Sequence, residues 1–434
     1  MSVHSNGSAT RGRAAPRRHR RLDERGIALP MAMIFVALLT MLMLAFAVLG
    51  QTEALIATNH SQMSQARALA ESGYEHALWA LTEGVRQSPA PGGSLAHPLP
   101  SPSPQPFDGS VFVASGVNGG YFVSVSEVSA DERRIRARGC VPNCAAGTRQ
   151  AQRIVEALVE RYPDLALSTP CALCVRGDVN IGGTSLVEAI SDTSCGNKKG
   201  AVSAGTVGLS GAATVYGADA DPDTANEATD YLQNADAEEF DGITLTQKHF
   251  DKLRELAKLN GTYFGPGHPN GTPAASPDWG GSVTFNSGNK VKSGIVFVDT
   301  VSGNEIPTDT SLQDPNDFAS VTIHGNPFLD ATFQGWIIVN GSLHISGGMQ
   351  INGLVYSVND FTYNGTGAGQ ITGLVVSQNV RDTVATSISD DGSTATTGNS
   401  RIRFNCEATR AANFVPQGFF LQAGTYRELE GDSL

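Results

Sequence analysis

The feature that most constrains this chain is an uncharged run of 23 residues, Ile27 to Leu49 (IALPMAMIFVALLTMLMLAFAVL). About 20 apolar residues cross the hydrocarbon core of a bilayer as one helix. A cleaved secretory signal has an apolar region of roughly 7–15 residues followed by a small-residue cleavage site, and this run is longer and lacks that site. The run therefore predicts a membrane anchor, for which an ordinary single-pass signal anchor is the simplest interpretation.

Charge is distributed unevenly around this run. Residues 1–26 contain seven arginines against Asp23 and Glu24, a net of +5, and because the whole chain carries −12 the remainder carries −17. Basic residues favour the cytoplasmic side of a membrane helix, so residues 1–26 are expected there and the rest outside. A nucleic-acid-binding protein concentrates basic residues on its folded part. Here the folded part is acidic, which argues against nucleic acid as a partner.

The apolar run continues into an amphipathic segment, residues 51–83. Its apolar side chains recur mostly three or four positions apart, as on one face of a helix. They are Leu55, Ile56, Met63, Ala66, Ala70, Tyr74, Ala77, Leu78 and Leu81. Pro30 lies in the first turn, where its missing N–H is tolerated, and the next proline is Pro89. One transmembrane and stalk helix is therefore expected over residues 27–85, and residues 27–83 alone would be roughly 85 Å long at about 1.5 Å per residue.

Two stretches, one just before the apolar run and one within the amphipathic segment, resemble a known family. Arg25-Gly26 followed at once by the apolar run looks like a prepilin leader, which a prepilin peptidase cuts after the glycine. The stretch ALAESGYEHAL (68–78) is similar to the alanine-rich stretch of PilX-type pilus assembly proteins. The resemblance implies cleavage between Gly26 and Ile27 and N-methylation of Ile27.

The chain departs from the pilin pattern at one position, and a second region near its C-terminus also resembles PilX-type proteins. Major pilins carry Glu at the fifth mature position, which is Met31 here; PilX-like proteins often lack it, so the resemblance implies a minor component. Phe404-Asn-Cys406, followed by Val415-Pro-Gln-Gly-Phe and Gly424-Thr-Tyr-Arg-Glu, looks like the closing segment of large PilX-type proteins with β-rich C-terminal domains.

Beyond the stalk, the composition changes twice. Residues 86–106 are rich in Pro, Ser and Gly, which is typical of a linker. Three strand-like stretches then predict a small pilin-like β-meander over residues 107–164. They are Tyr121–Glu127, Arg134–Arg138 and Arg153–Val159.

Residues 165–434 show a repeating pattern. Four segments share a glycine followed by a short apolar strand, and the last two of them are offset by 20 residues. They begin at Gly294, Gly335, Gly353 and Gly373. Periods near 20 residues are typical of solenoids, so the expected fold class is mainly β: one long N-terminal α-helix, a small meander, and a right-handed β-helix (solenoid)-like domain. An open β-sandwich is the alternative. A helical insertion is expected over 245–259, closed by Asn260-Gly261.

Six cysteines follow the anchor: Cys140, Cys144, Cys171, Cys174, Cys195 and Cys406. C-x3-C followed by C-x2-C resembles a zinc ligand set. An even cysteine count on the oxidising side of a membrane instead favours disulfides, of which six cysteines permit 15 pairings. The simplest of these joins Cys140 to Cys144, Cys171 to Cys174 and Cys195 to Cys406.

Other candidate sites are weak. Asp219, Asp221 and Asp223 imitate the start of a calcium loop but lack the glycine and glutamate that an EF-hand needs later, so a solvated acidic loop is preferred to a weak calcium site. A carbohydrate-active β-helix enzyme would need clustered carboxylates, whereas the repeating segments offer mostly Asn, Ser and Thr. No catalytic residue, enzymatic activity or cofactor is expected.

The sequence thus predicts a minor pilin-like component of a type IV pilus or a related filament system. Its partners would be other pilin-like subunits, prepilin peptidase and, before assembly, lipid of the bacterial inner membrane. The chain would cross that membrane once, with its C-terminal domain outside the cytoplasm or displayed on a pilus or cell surface. A membrane-anchored surface binding protein (adhesin) that never joins a filament is the second hypothesis.

Overall fold

The computed structural model describes most of the chain after residue 27. The described residues are 28–86, 95, 101–116, 118–129, 131–144, 150–190, 192–217, 226, 228–267, 279–303, 317–380, 394–411, 413–416 and 418–429. The predicted cleavage junction, Gly26 and Ile27, and the calcium candidates Asp219, Asp221 and Asp223 lie outside them. Those two predictions therefore remain predictions.

One helix, α1, runs without interruption over Ala28–Arg86, which is 59 residues. At about 1.5 Å per residue it is roughly 88 Å long. The single long N-terminal helix expected from the sequence is confirmed. Every residue from 28 to 61 is exposed, whereas residues 66–82 include a buried stripe that packs on a β-sheet. The two halves of the helix therefore have different environments.

The first sheet is antiparallel and begins with four strands in chain order. They are β1 Val113–Ala114, β2 Gly120–Glu127, β3 Glu132–Val141 and β4 Ala151–Arg161. Strands β2 and β3 alternate buried and less buried residues because one face covers α1. The core between helix and sheet includes Tyr74 and Leu81 from the helix and Val123, Ile135 and Val155 from the strands.

The second unit is built from short strands with a few helices outside them. Its strands are β5 Cys171–Val175, β6 Val179–Ile181, β7 Leu186–Glu188, β8 Lys199–Ser203, β9 Val207–Leu209, β10 Thr214–Tyr216, β11 Tyr231–Leu232, β12 Tyr263–Phe264, β13 Ser282–Phe285, β14 Gly294–Val298, β15 Ala319–His324, β16 Phe333–Val339, β17 Gly341–Gly347, β18 Gln350–Ser357, β19 Phe361–Gly365, β20 Gln370–Ser377, β21 Thr394–Gly398 and β22 Arg401–Phe404. The helices are α2 Leu165–Ser168, a 3₁₀-helix Ala237–Ile243, α3 Gln247–Asn260 and α4 Cys406–Arg410. The predicted insertion at 245–259 is α3, and Gly261 ends it at φ 68°.

All pairings between these strands are parallel, in one sheet of 11 strands and another of 7. From β14 to β21 the chain alternates between the two sheets, and each strand pairs with the strand two positions later. Apolar side chains from both sheets meet in one interior cluster that includes Ile337, Ile345, Val355 and Phe361. The repeating segments recognised in the sequence therefore lie directly on one another.

The order of the stack differs from the order of the chain. Strand β5 lies in the middle, between β8 and β20. The chain moves outward from β5 to β11, and α3 intervenes before β12, which lies at the opposite end. It then coils back until β21 and β22 pair with β6 and β7. The last turn thus stacks on the first, with Val375 beside Leu173.

A glycine ladder explains the shared sequence form. Gly294, Gly335, Gly353 and Gly373 are paired in register on β14, β16, β18 and β20, all with φ between 130° and 149°. A Cβ on any of the last three would come closer than 3.0 Å to the carbonyl oxygen of the glycine on the preceding strand. Glycine alone fits a position that combines positive φ with so close a backbone.

The chain ends in the first sheet. After α4, strands β23 Phe419–Leu421 and β24 Arg427–Leu429 both pair antiparallel with β4. Phe419 also belongs to the core under α1. The predicted division into 107–164 and 165–434 therefore differs from the structure, because residues 419–429 complete the first unit. The second unit is an insertion between β4 and β23.

Candidate assembly helix and display surface

The first half of α1 is an uncovered apolar rod. It presents large apolar side chains to the outside, including Met31, Phe35, Leu42 and Phe46, which are 55–68% exposed. Its mean hydropathy over the most apolar window is 2.8, with none of that window buried. By length and composition, this helix is able to cross a membrane.

The second half of α1 is fixed to the first sheet by small residues. Ala66, Ala70, Ala77 and Ala80 are completely buried. Opposite them, Gly139 on β3 lies so near the helix backbone that a Cβ there would clash with Ala66 and Ala70. This close approach fixes the second half of α1, and through it the exposed half, to the first sheet.

Two open grooves run beside α1. One of about 840 Å³ is lined by Glu71, Glu75, Trp79 and Tyr121 among others, and Tyr121 Oη lies 3.0 Å from His76 Nδ1. A second of about 510 Å³ lies near Gln62 and Pro142, closer to the exposed half. Both leave the flanks of the helix accessible to neighbouring molecules.

The six cysteines form the three simplest pairs. Cys140 is bonded to Cys144, Cys171 to Cys174, and Cys195 to Cys406. No free cysteine remains to hold zinc, and among the described residues no group of three His, Cys, Asp or Glu side chains is placed to bind a metal. The Cys195–Cys406 bond spans 211 residues and ties the first turn of the stack to the helix that follows the last turn.

One face of the second unit is flat and uncharged. Along the seven-stranded sheet, inward apolar residues alternate with outward polar ones, and the outward positions align from strand to strand. One aligned column is Thr284, Thr322, His344, Thr362, Ala395 and Asn180, and another is His324, Ser346, Asn364 and Thr397. We call this the hydroxyl face; none of these side chains is a carboxylate, lysine or arginine.

Another face of the second unit is covered. Trp336, Tyr356 and Leu374 from the larger sheet pack with residues of α3 and the 3₁₀-helix in one buried cluster. Trp336 Nε1 donates to the carbonyl of Thr409 in α4 at 2.7 Å. Helices therefore shield this side, whereas the hydroxyl face is left open.

Charged groups join the two units. Lys248 of α3 lies 3.2 Å from Glu132 and 3.6 Å from Glu160, and His249 Nε2 lies 4.0 Å from Glu160. Burial raises the pKa of Glu160 and lowers the pKa of His249. On the other side of the junction Arg410 pairs with Asp164 at 3.1 Å. These contacts lie between the units, so they orient the second unit on the first.

Comparisons with known proteins add little. No family model matches the sequence, and no curated protein matches it. Among solved structures, the chain is similar to the competence-associated pilin ComZ from Thermus thermophilus, with 12% sequence identity over 85% of this chain and 97% of that one. The TM-score is 0.25. A TM-score this low does not by itself establish a shared fold.

Sequence reasoning located the exposed helix and the cysteines but missed two features. It did not anticipate that the C-terminal strands return to β4. It also did not assign Gly139 as the close contact for α1, although a glycine within the alternating stretch RIRARG is a signal for close backbone approach.

Proposed function

We propose that this protein is a minor pilin-like component of a type IV pilus or related filament system, which assembles through the first half of α1 and displays the second unit outside. The observation that carries the proposal is the 28–61 segment, exposed at every residue and mostly apolar, rigidly continued by a helix bound to a β-sheet. Before assembly, the lipid of a bilayer covers this apolar surface. After assembly, neighbouring helices of a bundle cover it.

The same proposal includes several finer assignments. A prepilin peptidase removes residues 1–26, Ile27 is methylated, and the mature chain waits in the bacterial inner membrane with its display unit outside. The PilX-type resemblance of residues 68–78 supports this group of pilus proteins, and Met31 supports a minor role. No catalytic role is assigned.

We also propose that the second unit is a right-handed β-helix. Its all-parallel pairing and the alternation of successive strands between two sheets support a coil, and an antiparallel sandwich would not produce them. Such a coil is suited to display because its faces are set by repeated backbone geometry rather than by long loops.

Leader processing tests the proposal. The full chain is co-produced with a prepilin peptidase, and the membrane fraction is analysed by gel migration and N-terminal sequencing. The unmodified chain and the leader control Gly7→Val are expected to begin at Ile27, whereas Gly26→Val is expected to keep residues 1–26. Identical migration of the unmodified chain and Gly26→Val would overturn the pilin interpretation.

The adhesin alternative is favoured by one observation, the open hydroxyl face. Shearing of filaments from cells separates the two functions. A pilin-like subunit is expected in the sheared filament fraction and should be lost from it with Gly26→Val. An adhesin that never joins a filament stays with the membrane in both cases.

A further inference from the structure

The outer face of the first sheet carries an unusual concentration of arginine. On β3, Ile135 and Ala137 are buried under α1, so Arg134, Arg136 and Arg138 project from the opposite face. Arg427 of β24 joins them across β4. We call these four residues the arginine face.

Glu156 neutralises part of the arginine face. Glu156 on β4 lies in register between Arg136 and Arg427, 3.8 Å from the first and 2.6 Å from the second. Arg134 has no ion-pair partner among the described residues, and Arg138 lies 4.9 Å from the centre of the Phe122 ring. On the same side of the sheet, Glu132 and Glu160 are paired in register and share Lys248 of α3. The four arginines and Lys248 therefore outnumber the three carboxylates, and the face remains positive in a chain whose net charge is −12.

The complementary surface lies on the display unit of the same sequence. Residues 165–418 hold 26 acidic and 13 basic residues, a net of −13. Four of the acidic residues are exposed around the 3₁₀-helix and make no ion pair within the described structure: Asp236, Glu238, Glu239 and Asp241. We call them the acidic segment.

We propose that the arginine face of one copy docks on the acidic segment of a second copy. This deepens the proposed function and rests on it, because it names the contact between display-bearing subunits held side by side by their α1 helices. Charge complementarity selects the partner. Exposed ion pairs individually add little affinity, so the contact acts through several charges, orienting neighbours whose helices provide most of the binding energy.

The geometry of this contact allows more than two copies to associate. The two patches lie on different units of the chain, so one contact is heterologous: it uses the arginine face of one copy and the acidic segment of the other, and the pair still offers one unused patch of each kind. Heterologous contacts generate rings when the rotation closes and open helical arrays when it does not. An isologous dimer would exhaust its patches after one contact.

Charge reversal in the full chain tests the inference. Differently tagged copies are purified in detergent micelles, and co-capture is measured in low and high salt. Reversing the arginine face (Arg134→Glu with Arg136→Glu), or the acidic segment (Glu238→Lys with Glu239→Lys), is expected to weaken self-association about tenfold or more at low salt. High salt should weaken the unmodified chain similarly. The control Lys290→Glu with Lys292→Glu, on the display unit away from both patches, should leave association unchanged.

Mixing the two reversed variants provides the decisive measurement. Each variant associates poorly with itself. In a mixture, the native arginine face of one variant meets the native acidic segment of the other, and the two reversed patches also have opposite charges. Association should therefore return to the level of the unmodified chain. Such recovery also shows that both variants are folded. Absence of recovery, or of any salt-dependent self-association, would overturn the inference. Processing at Gly26 is scored in the same samples, so cleaved chains that do not associate would refute this contact and leave the pilin proposal standing.

Discussion

At the scale of single residues, the distance to the neighbouring backbone determines which positions of the second unit tolerate substitution. Gly353 stacks between Gly335 and Gly373, and its φ of 149° excludes most side chains. The interior side chains nearby vary in size while staying apolar, as with Phe333, Ile351 and Ile371, which are paired in register. The backbone of the neighbouring strands therefore allows only glycine at this position, whereas the interior positions accept any apolar side chain of suitable volume.

We expect Gly353→Ala to destabilise the protein. Its Cβ would clash with the carbonyl of Gly335 in a strained backbone conformation, and strain of this kind costs about 1–3 kcal/mol before the clash is relieved. Thermal unfolding followed by circular dichroism would measure the loss. Gly280→Ala is the matched control because a Cβ there meets nothing within 4 Å; equal melting temperatures for the two variants would contradict the ladder.

At the scale of elements, α3 is attached to the stack by a buried charge network. Asp299 is completely buried and accepts from Arg254 Nε at 2.7 Å, from Tyr263 Oη at 2.8 Å and from Asn340 Nδ2 at 3.0 Å. Burial opposes the charge of Arg254, but the hydrogen bonds and charge of Asp299 outweigh it and raise its pKa. The network joins the helix to β12, β14 and the segment after β16.

Arg254→Ala is expected to lower the free energy of unfolding by about 3–5 kcal/mol, because it leaves the Asp299 carboxylate buried without its cation. Urea denaturation measures this change. Glu255→Ala on the same helix is the control: it removes only an exposed pair with Lys252, which is worth about 0–1 kcal/mol. A loss no larger than that of the control would show that the network is not stabilising.

The contact between α3 and β4 also makes the junction sensitive to pH. His249 Nδ1 accepts a hydrogen bond from the Thr246 backbone N–H at 3.3 Å, which requires that nitrogen to be unprotonated. Burial lowers the pKa of His249, although Asp131 opposes the shift. Its stabilising contribution is therefore complete above the unfolded value of about 6.5 and is lost as pH falls through the lowered folded pKa. Glu160 acts oppositely, since its pKa is raised.

We therefore expect the unmodified protein to lose stability relative to His249→Asn as pH falls from about 7 to 5. Both proteins keep Lys248 and Arg161, so the difference reports His249 together with its interaction with Glu160, 4.0 Å from His249 Nε2. Urea denaturation at several pH values measures it. His344→Asn, on the open hydroxyl face, should show no such difference; a flat difference for His249→Asn would refute the assignment.

The elements differ in how well sequence predicts them. The long helix and α3 follow from local periodicity, and the strands after Gly335 and Gly353 follow from their repeated form. The order in which the strands stack does not follow from the sequence. Val375 pairs with Leu173, about 200 positions away, and no residue of β5 indicates which strands lie beside it. In the candidate site, the apolar face of α1 was predictable, but the arginine face required knowing which side of β3 the helix covers.

At the scale of the whole molecule, insertion of the second unit makes both units depend on the C-terminus. β23 and β24 hydrogen-bond to β4, Phe419 fills the core under α1, and Arg133, almost completely buried, lies 5.7 Å from the centre of the Phe419 ring. The second unit is thus held at both ends by β4. This arrangement restricts its motion relative to the first unit more than a single linker would.

Removal of residues 419–434 tests this dependence. Without β23 and β24, the edge of β4 and the buried core near Phe419 are exposed, and we expect earlier thermal unfolding and rapid proteolysis between the units. Truncation after Leu429 is the control because it removes only residues beyond β24 and should behave as the full chain. Limited proteolysis in detergent micelles, followed by mass spectrometry, locates the cuts. If residues 107–164 resist proteolysis equally in both truncations, the meander is complete without its C-terminal strands, and the two units are joined in series rather than by insertion.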